Sequence, residues 1–114
     1  MKVSELTGAK LDYWVAKAEG KLITLMGCFP VMVEYRTEHV TGWDEYSPST
    51  DWSQGGPIID REEIELVHRN GMDGRTLWAI KENIIMRGET KLIAAMRSFV
   101  ASKFGEEVSD DPTK

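Results

Sequence analysis

The stretch from residue 45 to residue 64, EYSPSTDWSQGGPIIDREEI, gathers the groups of this sequence best suited to holding a ligand. Pro48 disfavours helical backbone at Ser47, so Ser49 or Thr50 is placed to cap a short helical turn through TDWSQ. The first N–H groups of a helix have no intrahelical acceptor, which makes such a start a natural anion site. Gly55 and Gly56 lack a Cβ and let backbone come close to a ligand. Trp43, Tyr46 and Trp52 offer flat faces on which a base can stack, each contact worth about 1–3 kcal/mol. Arg61 or Arg36 supplies a cation directed at a phosphate. Together these groups describe a site for a nucleotide-like small molecule. The same residues also have a plainer use. Loop Trp and Tyr often plug a loop onto the core, and Gly-Gly-Pro often does no more than turn the chain.

Catalytic patterns are missing from the same stretch and from the rest of the chain. There is no Walker loop, no dinucleotide fingerprint, no nucleophile elbow and no zincin motif. His39 and His68 are the only histidines, and neither has a Cys or second His at metal-ligand spacing. His68 falls in an expected strand, where a structural role is the simpler reading. Asp60, Glu62, Glu63 and Glu65 form an acidic run that reads as a solvated edge. Asp44, Glu45 and Asp51 could join Asp60 around Mg²⁺, since carboxylates suit that ion, but nothing in their spacing singles them out. The expectation is therefore no catalytic residues, no metal and no cofactor.

These groups must be positioned by a small scaffold. The chain has 114 residues, enough for one domain with one modest core and no need for disulfides. Its formal net charge is −5, and the last nine residues hold four carboxylates against one lysine, so the body is close to neutral. No cluster of Lys and Arg suggests a nucleic-acid partner. The single cysteine, Cys28, sits in apolar LITLMGCFP, reads as a buried thiol and suits a reducing compartment. The N-terminus lacks the apolar segment of a signal peptide, and no run reaches membrane-span length. A cytoplasmic location follows by elimination.

Periodicity supplies the elements. Leu11, Trp14, Val15 and Ala18 recur at helical spacing, with Ser4 or Thr7 as cap and Gly20 as stop. KLITLMGCFP is a short strand ended by Pro30 or an extension of the core. Residues 31–36 alternate as a strand, and residues 37–57 read as a long loop. Residues 64–69 and 75–81 form a hairpin around NGMDG, with Ile64, Leu66 and His68 on one face. ENIIMRG is open to either reading. A last helix spans about 89–104, with Leu92, Ile93, Met96, Phe99, Val100 and Phe104 in one stripe and Gly105 behind it. The expected fold is α+β: a small antiparallel sheet of three or four strands packed against an N-terminal and a C-terminal helix. Residues 1–105 form the domain, and 106–114 an acidic flexible tail.

MKVSELTGAKLDYWVAKAEG, YSPSTDWSQGGPIIDREEI, Trp78 and KLIAAMRSFVASKFGEEV resemble the NinX-like proteins of tailed bacteriophages. The resemblance spans nearly the whole chain, with residues 21–41 carrying little of it. It implies a small phage accessory protein in the host cytoplasm and brings no catalytic residue with it. Its central segment, including Tyr46, Ser49, Thr50, Trp52, Gly55 and Gly56, coincides with the loop above. The expectation is a protein, a homo-oligomer in its leading form, that sequesters a nucleotide-type signal of host defence without turnover. No nucleic acid or membrane partner is expected. The alternatives are a module that inhibits or redirects a host protein, and a small metal-dependent nucleotide hydrolase.

Overall fold

The computed structural model describes residues 1–21, 23–24, 31–36, 38–71 and 74–108. Cys28, Pro30, the NGMDG turn tip at residues 72–73 and tail residues 109–114 lie outside this set, as do the side chains of residues 24, 35–36, 41, 69–71 and 74–76. After a 3-10 turn at Val3–Glu5 come α1 (Gly8–Ala18), β1 (Ile23–Thr24), β2 (Met32–Arg36), β3 (Thr41–Glu45), α2 (Trp52–Arg61), β4 (Glu65–Gly71), β5 (Gly74–Lys81), β6 (Ile84–Arg87) and α3 (Lys91–Phe104). The strands form two antiparallel sheets, β1-β2-β3 and β4-β5-β6. The class is α+β, as expected, with the strands divided between two sheets.

The segment read as a long loop is more ordered than its composition suggests. Residues 41–45 pair with β2, from Met32 opposite Glu45 to Arg36 opposite Thr41. Residues 52–61 form α2, which holds Gly55, Gly56 and Pro57 inside its first turns. Pro57 is the sixth residue of α2, so its missing N–H removes a ladder bond that the Ser53 C=O would otherwise accept. The cap is Asp51 rather than Ser49 or Thr50: its carboxylate accepts the Ser53 N–H at 2.9 Å. ENIIMRG resolves into a two-residue turn followed by β6, with Lys81 opposite Ile84 and φ +56° at Glu82.

α1 and α2 end alike. Lys21 N–H reaches Ala16 C=O at 3.1 Å and Gly20 N–H reaches Lys17 C=O at 3.1 Å. Ile64 N–H reaches Ile59 C=O at 3.0 Å and Glu63 N–H reaches Asp60 C=O at 3.3 Å. This pair of bonds defines the Schellman stop, which needs a left-handed residue after the cap. Gly20 fills that place at φ +72°, whereas Glu63 fills it at φ +54° with a side chain present.

α3 is the centre of the core. Leu92, Ala94, Ala95, Met96, Phe99, Val100 and Ala101 are all buried, a wider face than one stripe, because α1, α2 and the β4-β5-β6 sheet all pack on it. Alanine permits that close approach; a Cβ on Gly88 would collide with the backbone of Ala94. Arg97 is buried with it, donating to Leu6 C=O and Arg87 C=O at 2.8 Å each, so its guanidinium ties the N-terminal segment and β6 to α3. The two ends of the described chain pair: Val3 N–H bonds Glu106 C=O at 2.8 Å, and Val108 N–H bonds Met1 C=O at 2.9 Å. The start of the polar tail is thus paired to the N-terminus.

Candidate functional site

Residues 46–51 cross the molecule between β3 and α2, held from both sides. Tyr46 N–H bonds Val31 C=O at 2.8 Å, and Ser47 C=O accepts from Asp51 N–H at 2.8 Å. Gln54 of α2 accepts from Ser47 N–H at 2.6 Å through Oε1 and donates to Glu45 C=O at 2.9 Å through Nε2. From α1, Asp12 accepts the Ser49 N–H at 2.9 Å. Burial is the largest influence on the Asp12 carboxyl and raises its pKa; the Ser49 side chain and N–H counter this, and Glu45 adds to it.

This clamp forms one wall of an open cleft of about 520 Å³. Ser49, Thr50 and Trp52 stand on that side; Glu89, Thr90, Lys91, Leu92 and Ile93 stand opposite, and Leu77 contributes the apolar part. The opposite wall is the start of α3. Thr90 caps it by accepting the Ile93 N–H at 3.1 Å, and the Lys91 and Leu92 amides precede the intrahelical ladder. The positive end of the helix dipole and the Lys91 ammonium favour negative charge here. Glu89 opposes it, partly offset by Arg97 at 3.6 Å. The indole of Trp52 is 53% exposed. The Ser49 hydroxyl is buried beside the Asp12 carboxyl.

The remaining candidates lie elsewhere. Tyr46 is buried beneath the Lys21 ammonium, which is 5.4 Å from its ring centroid; burial is the main cause of its raised phenol pKa, with Glu19 adding to it. Trp43 is 47% exposed on β3, opposite Glu34, and does not line the cleft. Gly55 is buried inside α2, where a Cβ would overlap Pro48 C=O and Leu92 Cδ2; its lack of a side chain serves helix packing. A Cβ on Gly56 would meet Trp52 at an ordinary 3.8 Å. Arg61, at the far end of α2, bonds Glu19 at 2.9 Å and Glu62 at 2.8 Å. Those bonds, Glu62 first, raise the Arg61 pKa, while Arg61 and then Lys81 hold Glu62 below the usual carboxylate range. The side chain of Arg36 lies outside the described set.

Thus Ser49, Thr50 and Trp52 come together, while Trp43, Tyr46, Gly55, Gly56 and Arg61 do not line the cleft. Thr90 and Lys91 were not singled out from sequence; the available signal was a Thr cap followed by Lys at a helix start.

The acidic run is dispersed. Asp60 is exposed, Glu62 pairs with Arg61 and Lys81, Glu63 stops α2, and Glu65 stands on the β4-β5-β6 sheet. Among the described residues no three of His, Cys, Asp and Glu converge as metal ligands. His39 is exposed, 3.9 Å from Glu38, and His68 is exposed on β4. No described helix is long and apolar enough to cross a membrane.

A search of curated proteins returns no match. The family model described as "Bacteriophage P22, NinX" matches residues 2–103. This match takes in both walls of the cleft, and the chain belongs to that bacteriophage NinX family.

Proposed function

We propose that this protein is a phage accessory protein that binds and sequesters a nucleotide-type small molecule in the cleft between residues 49–52 and the start of α3, without turnover. The supporting observation is the meeting of an exposed indole, Trp52, the buried Ser49 hydroxyl and the first turn of α3 with Lys91. A base stacks on the indole, while phosphate oxygens take the α3 amides and the Lys91 ammonium. Carboxylates that could organise a metal are dispersed among the described residues, so the arrangement favours holding over hydrolysis. In a phage protein, sequestration of a nucleotide signal would blunt a host defence that depends on it.

The test is to purify the protein from bacteria with an induced nucleotide-signalling defence, denature it and identify what is released by mass spectrometry. A stoichiometric phosphorylated nucleotide, lost in Trp52→Ala and Ser49→Ala proteins that keep the wild-type fold, supports the reading. An empty protein that also shows no thermal shift with a nucleotide panel overturns it. A second reading, engagement of a host protein, is favoured by Trp43, whose exposed indole lies outside the cleft and belongs to a residue type common at interface anchors. A specific host protein lost from pull-downs by Trp43→Ala would support it.

A further inference from the structure

The β4-β5-β6 sheet has two faces of different character. Leu66, Leu77, Ala79, Lys81 and Met86 point to the α3 side, where Leu77, Ala79, Lys81 and Met86 are buried. The opposite face is set by the register. Val67, Trp78 and Arg87 form one cross-strand row, and Glu65, Ile80 and Ile85 form the next. Glu65, Val67, Trp78, Ile80 and Ile85 line a shallow apolar depression of about 420 Å³. Ile85 is 57% exposed. The Arg87 guanidinium lies 4.9 Å from the Trp78 ring centroid, which holds its charge beside the apolar patch.

The two charges occupy opposite corners of this patch. Glu65 is on one outer strand in one row; Arg87 is on the other outer strand in the other row. With strands about 4.8 Å apart and two residues spanning about 6.8 Å, the corners are separated by about 12 Å, beyond pairing within one copy. Consider a two-fold axis in the plane of the face, perpendicular to the line joining the corners. It lays Glu65 of one copy on Arg87 of the other, twice. The same operation leaves Val67 and Ile85 near the axis and packs Trp78 and Ile80 against the partner's apolar surface. An isologous interface requires this kind of self-complementarity, and an apolar centre with charged margins is the usual anatomy of an interface.

We propose that two copies of this chain associate through the outer face of β4-β5-β6, with Trp78, Ile80 and Ile85 at the centre and reciprocal Glu65–Arg87 pairs at the margins. The face is distinct from the cleft, so the association stands or falls independently of ligand binding.

Sedimentation velocity on the full chain at about 10–100 μM tests this, with circular dichroism to confirm the fold of each variant. The wild type is expected to sediment as a dimer. Ile85→Lys, at an exposed position, should give a folded monomer. Glu65→Arg and Arg87→Glu should each weaken association about tenfold or more, and the Glu65→Arg/Arg87→Glu double variant should recover most of it. A wild-type monomer throughout that range overturns the proposal. So does a dimer indifferent to Ile85→Lys, or a double charge swap no better than the worse single variant.

Discussion

The carboxylate of Asp12 accepts the backbone N–H of Ser49 at 2.9 Å, joining α1 to the cleft wall across 37 residues of chain. Both residues are buried. Asp12→Ala would leave a buried N–H without an acceptor and should cost about 1–3 kcal/mol. Asp12→Asn keeps an acceptor and removes a buried charge, so its loss should be much smaller. Urea denaturation of the two variants checks this; equal losses would contradict it.

The pH dependence of stability should carry two opposite signatures. Asp12 has a folded pKa above its ordinary value of 3.8, so its contribution is fully present below that value and lost as pH rises through the folded pKa. Glu62 has a folded pKa below its ordinary 4.5; its contribution is present above that value and lost as pH falls through the folded pKa. The stability of Asp12→Asn relative to wild type should therefore increase as pH rises from about 4 to 7. The deficit of Glu62→Gln should instead shrink as pH falls below about 4.5. Denaturant midpoints at several pH values read out both, and a trend of the same sign in both variants would be inconsistent with these environments.

Gly55→Ala and Gly56→Ala should differ although they are neighbours in one helix. At Gly55 the new methyl overlaps backbone of Pro48 and a side chain of α3, an overpacking cost of about 1–3 kcal/mol. At Gly56 the methyl finds only ordinary contact with Trp52, and the following Pro57, which disfavours a helical residue carrying a Cβ, offsets alanine's helical preference, so the change should stay within about 0.5 kcal/mol. Thermal melts of the pair suffice; equal losses would rule this account out.

Glu63→Gly should stabilise the protein by about 0.5–1 kcal/mol, because a left-handed residue with a Cβ is strained and glycine is not, less the extra chain entropy of glycine. The φ of +54° at Glu63 places it in that region. Gly20→Ala, the reverse exchange at the end of α1, should destabilise. Calorimetry of both variants would show whether the two helix stops obey one rule.

If the cleft holds phosphate, Lys91→Glu should weaken binding of a nucleotide such as AMP by about tenfold or more and reduce the salt dependence of its affinity. Lys91 is exposed, so the fold should be unchanged. Titration calorimetry at low and high salt reads both quantities; an affinity indifferent to this charge reversal would place the anion elsewhere.

Local pattern carried much of the fold. Leu11, Trp14 and Val15 are buried on α1, Gly20 stops that helix at positive φ, and β2, β4, β5 and α3 fall where alternation or helical spacing puts them. These features depend on neighbours within a few residues, and a sequence shows such neighbours directly. β3 was hidden by polar residues because its order comes from pairing with β2, a contact no local pattern contains.

For the site, the residue types that gather between 45 and 64 are legible from the chain alone. Which of them share a cleft depends on how the helices pack. Asp51 closes the start of α2, while α3 brings Thr90 and Lys91 opposite Ser49 and Trp52. Arg61 is engaged by Glu19, and Gly55 is enclosed between Pro48 and Leu92. Apart from the local Asp51 cap, these outcomes join groups far apart in the chain, and such contacts are set by packing around α3 rather than by the residues alongside.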